Sequence, residues 1–136
     1  MTLTTLDTNV VVRLLIGDDP RQTPIAERAF LEAIASGGVY LPDVVLAEVA
    51  WVLRGYDLPR QSRYELLERL VRTRGVVVDD IDAVVDAVEQ FRQGGDLADQ
   101  LILARAARAG ALPVLSFDQR FSSCEGVELL VAEASL

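Results

Sequence analysis

Short apolar runs alternate along the chain with longer stretches in which apolar residues recur every three to four positions, the pattern of an α/β domain with a largely parallel sheet. A first strand is expected at about Leu3 to Asp7, followed at once by a helix through Val10–Ile16 that Gly17-Asp18-Asp19-Pro20 stops. A second helix is expected from about Thr23 to Ser36, with Ile25, Ala29 and Ile34 on its apolar stripe and Gly37-Gly38 at its end. Val39-Tyr40-Leu41 reads as a short strand, and Pro42-Asp43 opens a helix carrying Val44, Val45, Ala47, Glu48, Trp51 and Val52. Another helix spans roughly Arg60–Arg74, ahead of a buried-type strand Val76-Val77-Val78. Asp80 or Asp82 caps a helix through Phe91, and Gly94-Gly95 breaks the chain before Asp96, the start of a helix to about Ala109 with Gly110 as its C-cap. Strand Pro113–Ser116, a turn bearing Asp118 and a last strand near Val127–Val131 complete the pattern.

A length of 136 residues with 51% hydrophobic content fits one compact domain, residues 1–136, that needs neither a disulfide nor a structural metal for stability. Asp7 and Arg13 interrupt the apolar N-terminal stretch and no basic leader precedes it, so a cytoplasmic protein is expected. No uncharged apolar run reaches the ~18–20 residues that cross a bilayer. Cys124 is the lone cysteine, without a neighbouring base to activate it, and reads as an incidental thiol in a reducing compartment.

Two absences prune the chemistry. There is no histidine and no lysine, all 13 basic residues being arginine, so a Ser-His-Asp triad, a His-ligated zinc, a Walker-type lysine and a Schiff base are all excluded. What remains is carboxylate: 21 Asp and Glu residues set a formal net charge of -8.

Some of these acids stand in special places. Ligands of open parallel sheets bind beyond the carboxyl ends of the strands, where Asp7 and Asp118 are expected, although either alone could be a helix N-cap. Glu48 lies in the apolar helix run Val44 to Trp51, where it is either a buried carboxylate in need of a cation or the mark of a solvent stripe. Asp96 and Asp99 are three apart at a helix start and can share one site; one of them could serve only as a cap, and Asp99, a turn in, is the better ligand. Together Asp7, Glu48, Asp99, Asp118 and Asp96 would form a carboxylate-only cluster suited to Mg2+, with Mn2+ as a substitute, for attack on a phosphodiester. Asn9, by holding Asp7, and Ser116, by hydrogen bonding near the metal, are candidate helpers.

The stretches Leu6-Asp7-Thr8-Asn9-Val10, Ala47-Glu48-Val49, Asp96-Leu97-Ala98-Asp99-Gln100-Leu101-Ile102 and Ser116-Phe117-Asp118 resemble the PIN domain, and within it the VapC toxins. The four pieces come in family order and cover nearly the whole chain. The resemblance implies a PIN-like α/β/α sandwich with a central, mostly parallel sheet. It also implies a magnesium-dependent endoribonuclease, usually a homodimer, held inactive by a cognate VapB-like antitoxin. Carried over residue by residue, the family's near-invariant acids fall on Asp7, Glu48 and Asp99, with Asp118 a more variable fourth and Asp96 an additional acid. Gln100, where a small residue is common, and Ile102-Leu103-Ala104 depart from the family pattern.

An RNA-binding protein of net charge -8 needs a local basic surface. From Arg54 to Arg74 six arginines face Asp57, Glu65 and Glu68, a local balance of +3, while Asp79 to Asp99 carries seven acids against Arg92. Arginines of the first segment, Arg54 among them, together with Arg13 are therefore expected to hold RNA phosphates, unless they form ion pairs on a solvated helix or a dimer face. Trp51 is either core or an anchor for an antitoxin helix. A receiver domain and a dehalogenase-type phosphatase both need a lysine. The alternatives left open are a PIN nuclease in RNA processing outside a toxin pair and a non-catalytic PIN-like binding module.

Overall fold

A computed structural model describes residues 2–132; Met1 and residues 133–136 of the expected single domain lie outside the described residues. The expected α/β architecture forms. In chain order the elements are β1 (Thr4–Thr5), α1 (Thr8–Ile16), α2 (Gln22–Ser36), β2 (Val39–Tyr40), α3 (Asp43–Leu53), α4 (Arg60–Arg72), β3 (Val76–Val77), α5 (Ile81–Arg92), α6 (Leu97–Arg108), β4 (Val114–Ser116) and β5 (Val127–Leu129), with a short 3-10 turn at Phe121–Ser123.

Every strand pairing is parallel, but the strands divide between two sheets: β1-β2-β3, and β4-β5. The expected single central sheet is thus interrupted between β1 and β4. Each strand is only two or three residues long, so few ladder hydrogen bonds bind the sheet and the helices carry most of the packing. The expected buried strand at Val76-Val77-Val78 is half exposed, Val77 lying open.

Helix ends follow local chemistry. The Asp7 carboxylate accepts from the Val10 N–H and caps α1, Asp80 accepts from Ala83 and caps α5, and Asp96 accepts from Asp99 and caps α6, each satisfying a donor that the helix leaves orphaned. Gly17 closes α1 in the left-handed conformation (φ 69°) that a side chain resists.

The core forms around Leu41, Leu46, Val49, Leu53, Leu67 and Val84, each 1% exposed or less. On α2 the stripe is displaced from its expected position. Thr23, Ala26 and Ala33 are buried with Phe30 and Ile34 partly so, while Ile25 and Ala29 face out. The small residues let α2 lie close to α1, and the helical period then turns Ile25 into solvent.

Helices α3, α4, α5 and α6 close a ring, each packing on the next and α6 returning to α3. Two polar devices tighten it. Arg105 of α6 makes a forked pair with Asp43 at the start of α3, Nη2 to Oδ1 at 2.7 Å and Nε to Oδ2 at 2.5 Å; such two-pronged pairs fix orientation as well as distance. Arg60 of α4 donates through Nη1 to the Phe91 and Gly95 carbonyls, at 2.7 and 2.9 Å, and so clips the α5–α6 connection to α4.

Leu53→Ala, which empties a site with no exposure at the C-terminal end of α3, is expected to lower unfolding free energy by about 2–5 kcal/mol in urea titrations. Ile25→Ala, on the open face of α2, is expected to change it by less than about 0.5 kcal/mol.

Candidate active site

The α3–α6 ring opens onto a cavity of about 560 Å³. Its walls come from α3 (Ala47, Ala50, Trp51, Arg54), the first turn of α4 (Arg60, Arg63), the end of α5, the start of α6 with Asp96 and Asp99, and the stretch from Asp118 to Cys124.

One wall is acidic. Asp99 is half-buried, and its carboxyl is raised above the ordinary value first by burial, then by the charge of Asp96 and then by that of Asp118. Asp96 spends one oxygen as the α6 cap, at 3.0 Å from the Asp99 N–H, as the spacing of the two residues anticipates. Asp118 is held by its own turn: Oδ1 accepts from the Arg120 and Phe121 N–H groups at 2.9 and 3.0 Å, and the Asp118 N–H donates to Ser116 Oγ at 3.0 Å. Ser116 therefore shapes the turn that presents Asp118. Among the described residues the Asp99 carboxylate has no ion pair.

Another part of the lining is basic. Arg54, Arg60, Arg63 and Arg120 form it, and among the described residues none of them makes an ion pair, whereas Arg13, Arg72, Arg92, Arg105 and Arg108 all do. The Arg60 guanidinium is pushed below its usual value by burial and then by the charges of Arg63, Arg120 and Arg54, with Asp96 offsetting part of this. Arg60 and Arg63 lie over the Phe91 ring, at 4.7 and 5.7 Å from its centre.

The other expected site residues do not line this cavity, Ser116 among them, although it shapes the Asp118 turn. Asp7, at the end of β1, is exposed and does not line the cavity, and Asn9 does not hold it; the Val10 N–H does, at 3.3 Å. Glu48 is exposed rather than buried, on the solvent-facing stripe of α3. Val44, Glu48 and Trp51 recur at four- and three-residue steps along the open face of α3, which places Glu48 one turn before Trp51 at the cavity rim. Trp51 is not core: it is 69% exposed. Arg13 is not at the cavity, being bound to Gln22 at 2.6 Å and paired with Asp19. The arginine-rich segment separates into Arg54, Arg60 and Arg63 on the cavity, and Arg72, which pairs with Glu68. Arg120 belongs to no sequence motif, although it follows Asp118 by two positions.

Among the described residues no three His, Cys, Asp or Glu side chains are disposed to hold one metal ion. The donor chemistry at Asp99 nonetheless fits a hard dication. Magnesium is commonly held by one or two carboxylates, with water and substrate phosphates completing its shell, and Asp99 is a half-buried acid between two like charges without a cation of its own. Asp96 or Asp118 would supply the second carboxylate.

Gln100 is buried, lines the cavity and donates to Cys124 Sγ at 3.7 Å. Cys124 is only partly exposed, in keeping with a packing role.

Folding raises the Asp99 carboxyl above its ordinary 3.8, so protonation favours the folded state. The benefit is complete below the unfolded value and disappears as pH rises through the folded one. In EDTA, Asp99→Asn is therefore expected to raise Tm at pH 7 by about 1–3 °C, an advantage that shrinks toward zero near pH 3. Thermal melts across this range measure it.

A model of the PIN domain family matches residues 4–126. No curated protein and no solved structure matches the chain.

Proposed function

The chain belongs to the PIN-domain family, a nuclease-type fold, and from that premise we propose that it is a magnesium-dependent endoribonuclease acting as a single domain over residues 1–136. The observation that carries the reading is Asp99: half-buried, crowded by Asp96 and Asp118, without a cationic partner among the described residues, and in one cavity with four arginines that make no ion pair among them. A bound dication supplies a water of lowered pKa and offsets the charge that develops on the scissile phosphate. Asp99 and Asp96 or Asp118 hold it. Ser116 and the 3-10 turn keep Asp118 in place, and the cap at Asp96 fixes the start of α6. Asp7 and Glu48 take part from the ends of β1 and the rim of α3, a role that rests on the family motifs they occupy.

Within the family, the same motifs support a VapC-type toxin, cytoplasmic and homodimeric, silenced by a VapB-like antitoxin. The exposed stripe Val44-Glu48-Trp51 beside the cavity offers such an antitoxin an apolar and acidic strip to cover. Among the described residues no helix is long and apolar enough to cross a membrane. That Asp7 and Glu48 do not line the cavity of Asp99 favours one rival, a non-catalytic PIN-like module.

Cleavage of a fluorescent single-stranded RNA decides between them. The chain is expected to cut it with Mg2+ or Mn2+ and not in EDTA. Asp99→Asn is expected to reduce the rate at least ~100-fold, the loss of about 3 kcal/mol or more of transition-state stabilisation, with the fold retained by circular dichroism. Asp7→Asn is expected to do the same. Undiminished cleavage in both variants, or none by the wild type with metal, refutes the reading.

A further inference from the structure

We infer that the basic wall of the cavity is a phosphate subsite for single-stranded nucleic acid, with Trp51 as a platform for the adjoining base. The inference rests on the nuclease reading and deepens it, by naming the residues that grip the strand away from the acids.

Three separate stretches of chain converge to build the wall: Arg54 ends α3, Arg60 and Arg63 share the first turn of α4, and Arg120 follows β4. Bringing guanidinium groups together without counter-charges is unfavourable, and the repulsion is felt at Arg60, whose charged form is destabilised by burial and by its three neighbours. Pairing them would be easy in a chain with 21 acids. Elsewhere five arginines are paired and, among the described residues, Arg21, Arg28, Arg69 and Arg74 are not, so the mark of this wall is the convergence of four guanidinium groups on one cavity.

Two further observations point to a ligand. The Nε of Arg63 is buried and has no acceptor among the described residues, a costly state in a side chain that lines the cavity. Arg120 reaches the cavity across Gly94: a Cβ at that position would collide with Arg120 Nη2, and its backbone (φ 109°) is one that side chains resist. The glycine thus gives both the turn and the room that the arginine needs.

The chemistry selects among anions. Arginine forks match phosphate oxygens, and an acidic peptide would meet repulsion from Asp96, Asp99 and Asp118 in the same cavity. A phosphodiester chain suits both walls, one phosphate on the arginines and another near the acids once a dication is present. Trp51 adds the base contact. It is the chain's single tryptophan, 69% exposed on the rim, three residues before Arg54 and so on an adjoining face of α3. An exposed indole face next to a phosphate grip is the arrangement that holds single strands, whose bases are free to stack on it; duplex bases are not.

Binding without turnover tests this. Fluorescence anisotropy of the full chain in EDTA would use a labelled seven-nucleotide RNA, the same RNA in duplex form, and a labelled acidic peptide. The single strand is expected to bind best. Arg120→Gln and Arg63→Gln are each expected to weaken it about 10-fold and to reduce the dependence of log K on log salt by about one unit. Trp51→Ala is expected to weaken it by about 5-fold to 100-fold. Arg28→Gln, on the open face of α2, serves as the control and is expected to bind like wild type. Arg120 and Trp51 are exposed, so their variants keep the test valid should Arg63→Gln fail to fold.

Unchanged binding in Arg120→Gln and Trp51→Ala, duplex bound as tightly as single strand, or preference for the peptide overturns the inference. The two readings fail separately. Arg120-dependent binding with no metal-dependent cleavage sinks the nuclease alone, whereas cleavage with Arg120-independent binding sinks the subsite alone.

Discussion

Asp99 stands half-buried beside Asp96 and Asp118 in one cavity with four arginines that make no ion pair among the described residues, and the fold keeps the two sets from pairing, Asp96 easing only part of the repulsion at Arg60. Both walls carry repulsion that an apolar or self-paired lining would avoid. The separation is maintained by the ring of α3, α4, α5 and α6. The Asp43–Arg105 fork holds α3 to α6, and the Arg60 contacts with the Phe91 and Gly95 carbonyls hold α4 to the loop that starts α6. Arg60 thereby serves the packing and the basic wall with one side chain. Beneath these polar contacts, Leu46, Val49, Leu53, Leu67 and Val84 fill the ring interior, and close packing there leaves little freedom for the walls to collapse on each other.

Such an arrangement is unfavourable for the isolated chain and favourable for one that meets opposite charge from outside. A dication at the acids and a phosphate at the arginines would each remove repulsion already present, so their binding stabilises the folded state by mass action. Sites where local rules of pairing are broken while the surroundings obey them are where function is expected. The contrast with the other end of α6 is instructive. There Arg105 and Arg108 meet Asp43 and Asp80, the charges close on themselves, and nothing is left to recruit a ligand.

Much of this was legible in the sequence, and the rest was not for physical reasons. Local signals worked where the determinant was local: Asp80 and Asp96 as caps, Gly17 and Gly37-Gly38 as helix ends, and Asp99 as the acid that capping does not explain. The fork between Asp43 and Arg105 joins residues 62 apart, and Arg120 reaches its place only by crossing Gly94; no local pattern announces either. Glu48 lies in so apolar a run that burial and exposure both suit it, and only the packing of α3 on α1, α4 and α6 decides that its stripe faces out. Ile25 failed for a related reason. Hydrophobicity marks residues that could be buried, whereas on α2 the small Ala26 and Ala33 allow the close approach that chooses the face. The family motifs group Asp7 with Asp99, yet the cavity joins Asp99 to Asp96 and Asp118, with β1 and β4 belonging to separate sheets.

The central claim is that Asp99 and its neighbouring acids form the seat of a hard dication. Anomalous diffraction from crystals grown with Mn2+ tests it most directly. The account predicts one strong peak within coordination distance of the Asp99 carboxylate, completed by water and by Asp96 or Asp118. Manganese bound only at surface acids remote from this cavity, with the Asp99 oxygens left free, would contradict it.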